Sequence, residues 1–211
     1  MNLKIKHCLP ICALMCASSI SLAEESTNTS ATAVDNSWTY IGSDIYVGSS
    51  DLSYEPSRPG SIYDQTEDGD IVGVRLKLGT KKTSGWRYQG SFFVEDFEAF
   101  DNVITGLGFS LAKSFGEGEI KPFVRLGFSY GSVEIDDTPF INFDDDTLYF
   151  FGIDAGVGGE YSLNQDTELV FGVDVGTRAW QSIDIIGLGP NTTLEPKDDP
   201  VTVYAGVNFK I

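Results

Sequence analysis

The sequence predicts an all-β fold: an eight-stranded antiparallel barrel that crosses a membrane, with short turns at one end and long loops at the other. Three observations predict it. Eight segments alternate apolar and mixed residues with a period of two. The connections between them alternate short and long. No run of ~20 apolar residues follows the first 23 positions, so any membrane span must be made of strands.

The strands follow in order. The first, near 38–54, sets Ile41, Ile45 and Val47 against Tyr40, Gly42, Asp44, Tyr46 and Gly48. The second, 70–80, sets Val72, Val74, Leu76 and Leu78 against Gly73, Arg75, Lys77 and Gly79. In the third, 85–96, Trp86, Tyr88, Phe92 and Val94 oppose Arg87, Gln89, Ser91 and Glu95. The fourth, 102–115, places Val103, Leu107, Phe109 and Leu111 opposite Gly106, Gly108, Ser110 and Ala112. The fifth, 119–134, places Val124, Leu126, Phe128 and Tyr130 opposite Lys121, Arg125, Gly127 and Ser129. The sixth, 147–163, separates Tyr149, Phe151, Ile153, Val157 and Tyr161 from Gly152, Asp154, Gly156, Gly158 and Glu160. The seventh, 167–181, separates Leu169, Phe171, Val173 and Val175 from Glu168, Gly172, Asp174, Gly176 and Arg178. The eighth, 200–211, sets Ala205, Val207, Phe209 and Ile211 against Tyr204, Gly206, Asn208 and Lys210.

A soluble sandwich also alternates, but its second face is a water-facing surface rich in Lys, Glu and Thr. Here the second face mixes Gly, Ser and single charges, which suits a narrow lumen where small residues make room and charges pair. The short connections, Lys81–Ser84, Gly116–Gly118 and Asn164–Asp166, carry hairpin residues. The long ones fall near 55–69, 97–101, 135–146 and 182–199. Trp86, Phe115, Tyr161 and Phe209 lie near the short-turn ends and Tyr149 near the other, as two interfacial girdles require.

The N-terminus reads as a cleaved secretory signal over 1–23: Lys4 and Lys6, an apolar stretch over 9–22, and Ser21-Leu22-Ala23 before Glu24. Residues 24–37 read as a Ser/Thr/Asn-rich lead-in and 38–211 as the barrel. Cys8, Cys12, Cys16 and the single histidine, His7, all lie in the signal. Met15 before Cys16 spoils a lipobox. The mature chain therefore has no disulfide, thiol nucleophile or histidine base, and no zinc site with N/S ligands. Without Lys4 and Lys6, 12 of the 14 basic residues remain against 31 acidic ones, which excludes a nucleic-acid partner.

The last strand also resembles the carboxyl-terminal sorting signal of bacterial outer-membrane barrels, at Tyr204, Gly206, Phe209 and Ile211, with Ile where that family usually ends on Phe. Strand number, loop asymmetry and this ending together resemble the small eight-stranded outer-membrane barrels, the superfamily of the OmpA transmembrane domain and OmpX. The resemblance implies a monomer in the outer membrane of a Gram-negative bacterium, surrounded by lipid and lipopolysaccharide and inserted by the barrel-assembly machinery. It implies a role in envelope integrity, adhesion or surface recognition. Nothing follows the barrel, so no peptidoglycan-binding domain is expected.

The candidate site is a lumen charge network of Asp44, Arg75, Lys77, Arg87, Glu95, Lys121, Arg125, Asp154, Glu160, Glu168, Asp174, Arg178 and Lys210, structural or pore-lining. Six acids and seven bases nearly balance, as paired charges in a tight space must. A paired-carboxylate catalyst is formally open, but the known enzymes among outer-membrane barrels use a histidine that the mature chain lacks. No enzyme and no cofactor are expected. The leading reading is structural or surface-interacting; a narrow channel is the alternative, for which the many lumen glycines could leave a wet path. Acid clusters at Asp64, Glu67, Asp68 and Asp70, at Asp136, Asp137 and Asp144–Asp146, and at Asp184, Glu195, Asp198 and Asp199 read as a solvated surface, with divalent cations or lipopolysaccharide phosphates as further readings. The phosphate-loop look-alike at 79–83, the dinucleotide look-alike at 156–159 and the sequon at Asn191 carry nothing in these contexts.

Overall fold

The computed structural model describes residues 37–56, 65–135, 147–185 and 192–211. The signal, nearly all of the lead-in, Asp64, Asp136, Asp137, Asp144–Asp146 and Asn191 lie outside the described residues.

The described residues form ten strands: β1 (Ser37–Pro56), β2 (Gln65–Lys82), β3 (Trp86–Phe97), β4 (Ile104–Ser114), β5 (Ile120–Glu134), β6 (Thr147–Ser162), β7 (Thr167–Trp180), β8 (Ile183–Ile185), β9 (Thr192–Asp198) and β10 (Val201–Lys210). Each of β1 to β6 pairs antiparallel with the next, β7 pairs with β10, and β10 pairs with β1, so the sheet closes at eight positions. β9 and β10 share one of those positions. Asp198 of β9 faces Leu52 and Arg178, and Val201 of β10 faces Ser49 and Val175, in one continuous register. Pro200 interrupts the strand because it has no N–H to give to the ladder. Its carbonyl still accepts from the Gly176 N–H at 2.9 Å.

The short connections are tight because the chain supplies the residues they need. Gly85 and Gly116 turn the β2–β3 and β4–β5 corners at φ of 84° and 79°, where a side chain is strained. At the β6–β7 corner the Asn164 side-chain oxygen accepts from the Asp166 N–H at 2.9 Å, an Asx turn.

Burial is inverted relative to a water-soluble barrel. Ile45, Leu107 and Val157 are 62%, 62% and 60% exposed on the outside, while Asp44 and Glu95 are 2% and 1% exposed within. A continuous apolar exterior on this scale requires a hydrocarbon solvent. The barrel is therefore a transmembrane one. Trp86, Phe115 and Phe209 are exposed at its short-turn end, and Tyr130 stacks on Tyr149 at 6.1 Å near the other. Among the described residues no helix is long and apolar enough to cross a membrane.

Two boundaries differ from the sequence expectation. β2 begins at Gln65 instead of 70, because Gln65–Asp70 pair in register with Ser49–Tyr54 of β1 despite their turn-like composition. The segment 182–199, expected to be a loop, contains β8 and β9, paired from Ile183–Leu194 to Ile185–Thr192. With these extensions the strands run on past the apolar belt. There Ser49, Asp51, Asp68, Asp70, Asp96 and Glu195 face outward, and the interior fills with Leu52, Ile71, Phe97, Ile104, Val133 and Leu148, all at most 3% exposed. Phe100, from the β3–β4 connection, lies against both Phe97 (5.7 Å) and Trp180 (5.0 Å) and closes this packed end.

Candidate functional site

The lumen is built by alternation: every second residue of each barrel strand points inward. The eight strands bring those side chains together at three levels.

At the short-turn level Lys81 Nζ donates to Glu160 Oε1 at 2.6 Å and to Glu168 Oε1 at 2.7 Å, and Arg87 Nη1 donates to Glu160 Oε2 at 3.2 Å. The Arg87 guanidinium lies 4.7 Å from the Phe123 ring centroid, and the Tyr40 hydroxyl donates to Gln89 at 2.9 Å. At the middle level Lys77 pairs with Asp44 and Arg125 with Asp154; Arg125 Nη2 also donates to Asp174 Oδ2 at 2.7 Å. Arg75 reaches Asp174 at 3.7 Å and Asp44 at 4.0 Å.

Towards the loop end Arg178 forks onto both oxygens of Glu95 at 2.5 and 2.9 Å, and the Tyr46 hydroxyl adds a bond to Glu95 at 3.1 Å. Asp198, fully buried, accepts from Trp180 Nε1 at 2.6 Å and Ser50 Oγ at 2.9 Å and lies 3.7 Å from Arg178. Burial pushes the Asp198 carboxyl above the usual carboxylate range, and Arg178, Trp180 and Ser50 pull it part of the way back.

All six acids expected in the network, Asp44, Glu95, Asp154, Glu160, Glu168 and Asp174, take part, as do Arg75, Lys77, Arg87, Arg125 and Arg178. Two expected bases do not. Lys210 is exposed, because it ends β10 at the rim where water reaches it. Lys121 is half-buried at the start of β5, and its cross-strand neighbour Glu160 is already held by Lys81 and Arg87.

Two members were not expected. By composition Lys81 belongs to a short turn, although it shares the parity of Arg75, Lys77 and Gly79, which is the available signal. By sequence Asp198 belongs to an acidic loop cluster; only the pairing of β9 with β1 and β7 turns it inward. Of the other loop-end acids, the described Glu67, Asp68, Asp70, Glu195 and Asp199 are exposed, with Asp199 3.5 Å from Lys197. Among the described residues no three His, Cys, Asp or Glu side chains form a group that could hold a metal.

Rings fill the space beside several of the lumen glycines. Six large lumen aromatics each sit directly across from a glycine: Tyr40 on Gly79, Tyr46 on Gly73, Phe93 on Gly106, Phe123 on Gly158, Phe150 on Gly131 and Tyr204 on Gly172. A Cβ on Gly131 would stand 2.6 Å from the Phe150 ring, and one on Gly172 2.7 Å from the Tyr204 hydroxyl, so the rings occupy the space that the glycines vacate. Between the middle and loop-side ion pairs a cavity of about 60 Å³ remains. In the carboxyl-terminal segment Tyr204 points into the lumen, Phe209 faces outward at the rim, and the Ile211 N–H donates to the Thr39 carbonyl at 3.0 Å.

The sequence matches no model of a known protein family and no curated protein sequence. In strand architecture the barrel is similar to solved structures. Neisserial surface protein A is 17% identical with a TM-score of 0.45, covering 82% of this chain and 97% of that chain. The outer membrane protein OprG from Pseudomonas aeruginosa is 15% identical with a TM-score of 0.49, covering 82% and 96%. Ail, the attachment invasion locus protein of Yersinia pestis, is 13% identical with a TM-score of 0.35, covering 81% and 98%.

Proposed function

We propose that this protein is a monomeric outer-membrane barrel, exported by a cleaved signal, that acts as a closed structural and surface-interaction element. Its short turns face the periplasm and its acidic loop end faces outward. Outer-membrane lipid and lipopolysaccharide surround it, and the barrel-assembly machinery reads Tyr204, Gly206, Phe209 and Ile211. The observation that carries the closed-barrel reading is the filled lumen: ion pairs cross it at three levels, and Leu52, Ile71, Phe97 and Ile104 pack its loop end. Arg and Lys donors paired to carboxylates across the bore are held by charge-assisted hydrogen bonds, which resist opening. The absence of any histidine after His7 supports a non-enzymatic role, since acyl transfer by a serine needs a positioned base.

The test is conductance of the purified protein in a planar lipid bilayer. A silent but inserted barrel is the expected result. Discrete, reproducible steps that change in Arg125→Gln would replace this reading with the narrow channel, which the charged walls of the residual cavity favour.

A further inference from the structure

The lipid face has a notch. Among the described strands two glycines face outward, Gly90 on β3 and Gly159 on β6. The space beside Gly159 is taken: a Cβ there would stand 2.7 Å from the Phe171 ring and 3.2 Å from Ile120. Gly90 differs. It is exposed, and a Cβ there would meet only the Leu78 carbonyl oxygen, at 3.9 Å. Its cross-strand neighbours, Leu78 on β2 and Phe109 on β4, are 58% and 52% exposed and wall the notch on both sides. Tyr88 and Phe92, also exposed, bound it along β3. A strand glycine with nothing seated on it leaves room for close approach from outside.

The rim in line with this notch is basic. Lys82, Trp86 and Lys113 form one outward-facing row at the short-turn end. Trp86 pairs with Lys113 across β3 and β4, and Lys82 stands one residue beyond the Lys81–Arg87 pair of β2 and β3, level with Trp86. Among the described residues these are the two lysines whose strand positions face outward at that end. The other two short turns carry acids instead, Glu117 and Glu119 in one and Asp166 in the other. Lys113 is held in place: its Nζ lies 5.5 Å from the Trp86 ring centroid and donates to the Ser84 carbonyl. An ammonium carries further N–H groups beyond the one so used. Thr83 and Ser84, exposed in the same turn, add two hydroxyls.

We propose that Lys82, Trp86, Lys113 and the Gly90 notch form a binding site for one anionic phospholipid, its phosphate between the two lysines and one acyl chain lying along β3 into the notch. Trp86 and Gly90 are four residues apart on one extended strand, about 13 Å, which keeps the notch within the ~15 Å hydrocarbon depth of a single leaflet. Two cations at the rim favour a lipid of net negative charge over a zwitterionic one. A second copy of this chain is the poorer occupant. A twofold axis along the membrane normal would set Lys82 and Lys113 of one copy against the same lysines of the other. Which leaflet supplies the lipid rests on the periplasmic orientation of the short turns; the site itself does not.

The test is native mass spectrometry of the detergent-solubilised protein titrated with dioleoyl phosphatidylglycerol or with dioleoyl phosphatidylcholine. One saturable adduct, formed at lower concentration with phosphatidylglycerol, is the expected result, and each lysine should supply about fivefold of that preference. Lys82→Gln combined with Lys113→Gln should remove the preference and leave phosphatidylcholine binding as it was. Gly90→Leu, which fills the notch, should weaken both lipids alike. Equal binding of the two lipids by the wild type, uptake of phosphatidylglycerol without saturation, a preference that survives the double lysine variant, or binding unchanged in Gly90→Leu overturns the proposal. A wild-type dimer that Gly90→Leu dissolves also overturns it and gives the notch to a second copy. The wild-type comparison needs no variant. A barrel that conducts yet keeps this lipid preference would overturn the closed-lumen reading and leave the lipid site standing.

Discussion

Within the membrane belt the strands carry Ile, Leu, Val and Phe outside and charges inside; past Ser49 and Asp96 the same strands carry Asp and Ser outside and Leu, Ile and Phe inside. The backbone does not change between the two regions. The pairing is continuous, and the inward positions keep their parity from Asp44 and Tyr46 to Leu52. What changes is the solvent against which each face was selected. Hydrocarbon takes the apolar residues from the outside of the belt, and water returns them to the inside of the loop end. One barrel thus contains a membrane protein and a small soluble β-barrel end to end, and the Arg178–Glu95–Asp198 cluster joins them.

The largest expected effect comes from the soluble end. Phe97→Ala empties a fully buried position and should cost about 3–5 kcal/mol in denaturant unfolding, equally in detergent and in bilayers, because that core does not use lipid. A cost that appeared only in bilayers would break the comparison. At the junction, Arg178→Gln leaves Glu95 and Asp198 buried without their cation and should also cost about 3–5 kcal/mol. Adding Glu95→Gln should recover part of that loss. In the belt, Leu126→Arg places a charge on the lipid face and should cost about 2–4 kcal/mol in bilayers. Arg125→Gln, one residue away, should perturb the lumen pairs instead. Equal, small effects of the two would reverse the assigned faces.

The smallest expected effect is a pH dependence. The folded Asp198 carboxyl titrates above its unfolded value because burial disfavours its charge. The folded state therefore binds this proton more tightly, and stability from this group falls as pH rises through the folded value and is fully present below the unfolded one. Relative to Asp198→Asn, the wild type should gain stability as pH is lowered through that window. A constant difference in unfolding midpoint across it would show that the carboxyl is not desolvated as described.

Where one solvent governs a whole strand, as over Ile41–Val47 or Val124–Tyr130, alternation in the sequence reports both the strand and its faces. It fails where the solvent changes within a strand. Thr66-Glu67-Asp68-Gly69-Asp70 has the composition of a loop, and only its pairing with Ser49–Ser53 makes it strand. Asp198 stands beside Asp199 and before Pro200, a local signature of a turn; its burial depends on Trp180 and Ser50, which are 18 and 148 residues away in the chain. Lys81 was legible by parity alone, one step beyond Gly79. The pairing of glycines with aromatics was present in the composition of both faces but needed the strand register to be seen.

That pairing distinguishes one alignment of neighbouring strands from another. A slip of one residue exchanges inside for outside and is rejected by the solvent. A slip of two keeps every face correct and preserves the ladder, so neither lipid nor backbone bonding opposes it. It would, however, bring Tyr46 from Gly73 onto Arg75 or Ile71, and Phe150 from Gly131 onto Ser129 or Val133. The six rings act as a proofreading device on the closing sheet, each seated only when its strand has arrived at the right offset, and a chain that has shut in the wrong frame has rings with nowhere to go.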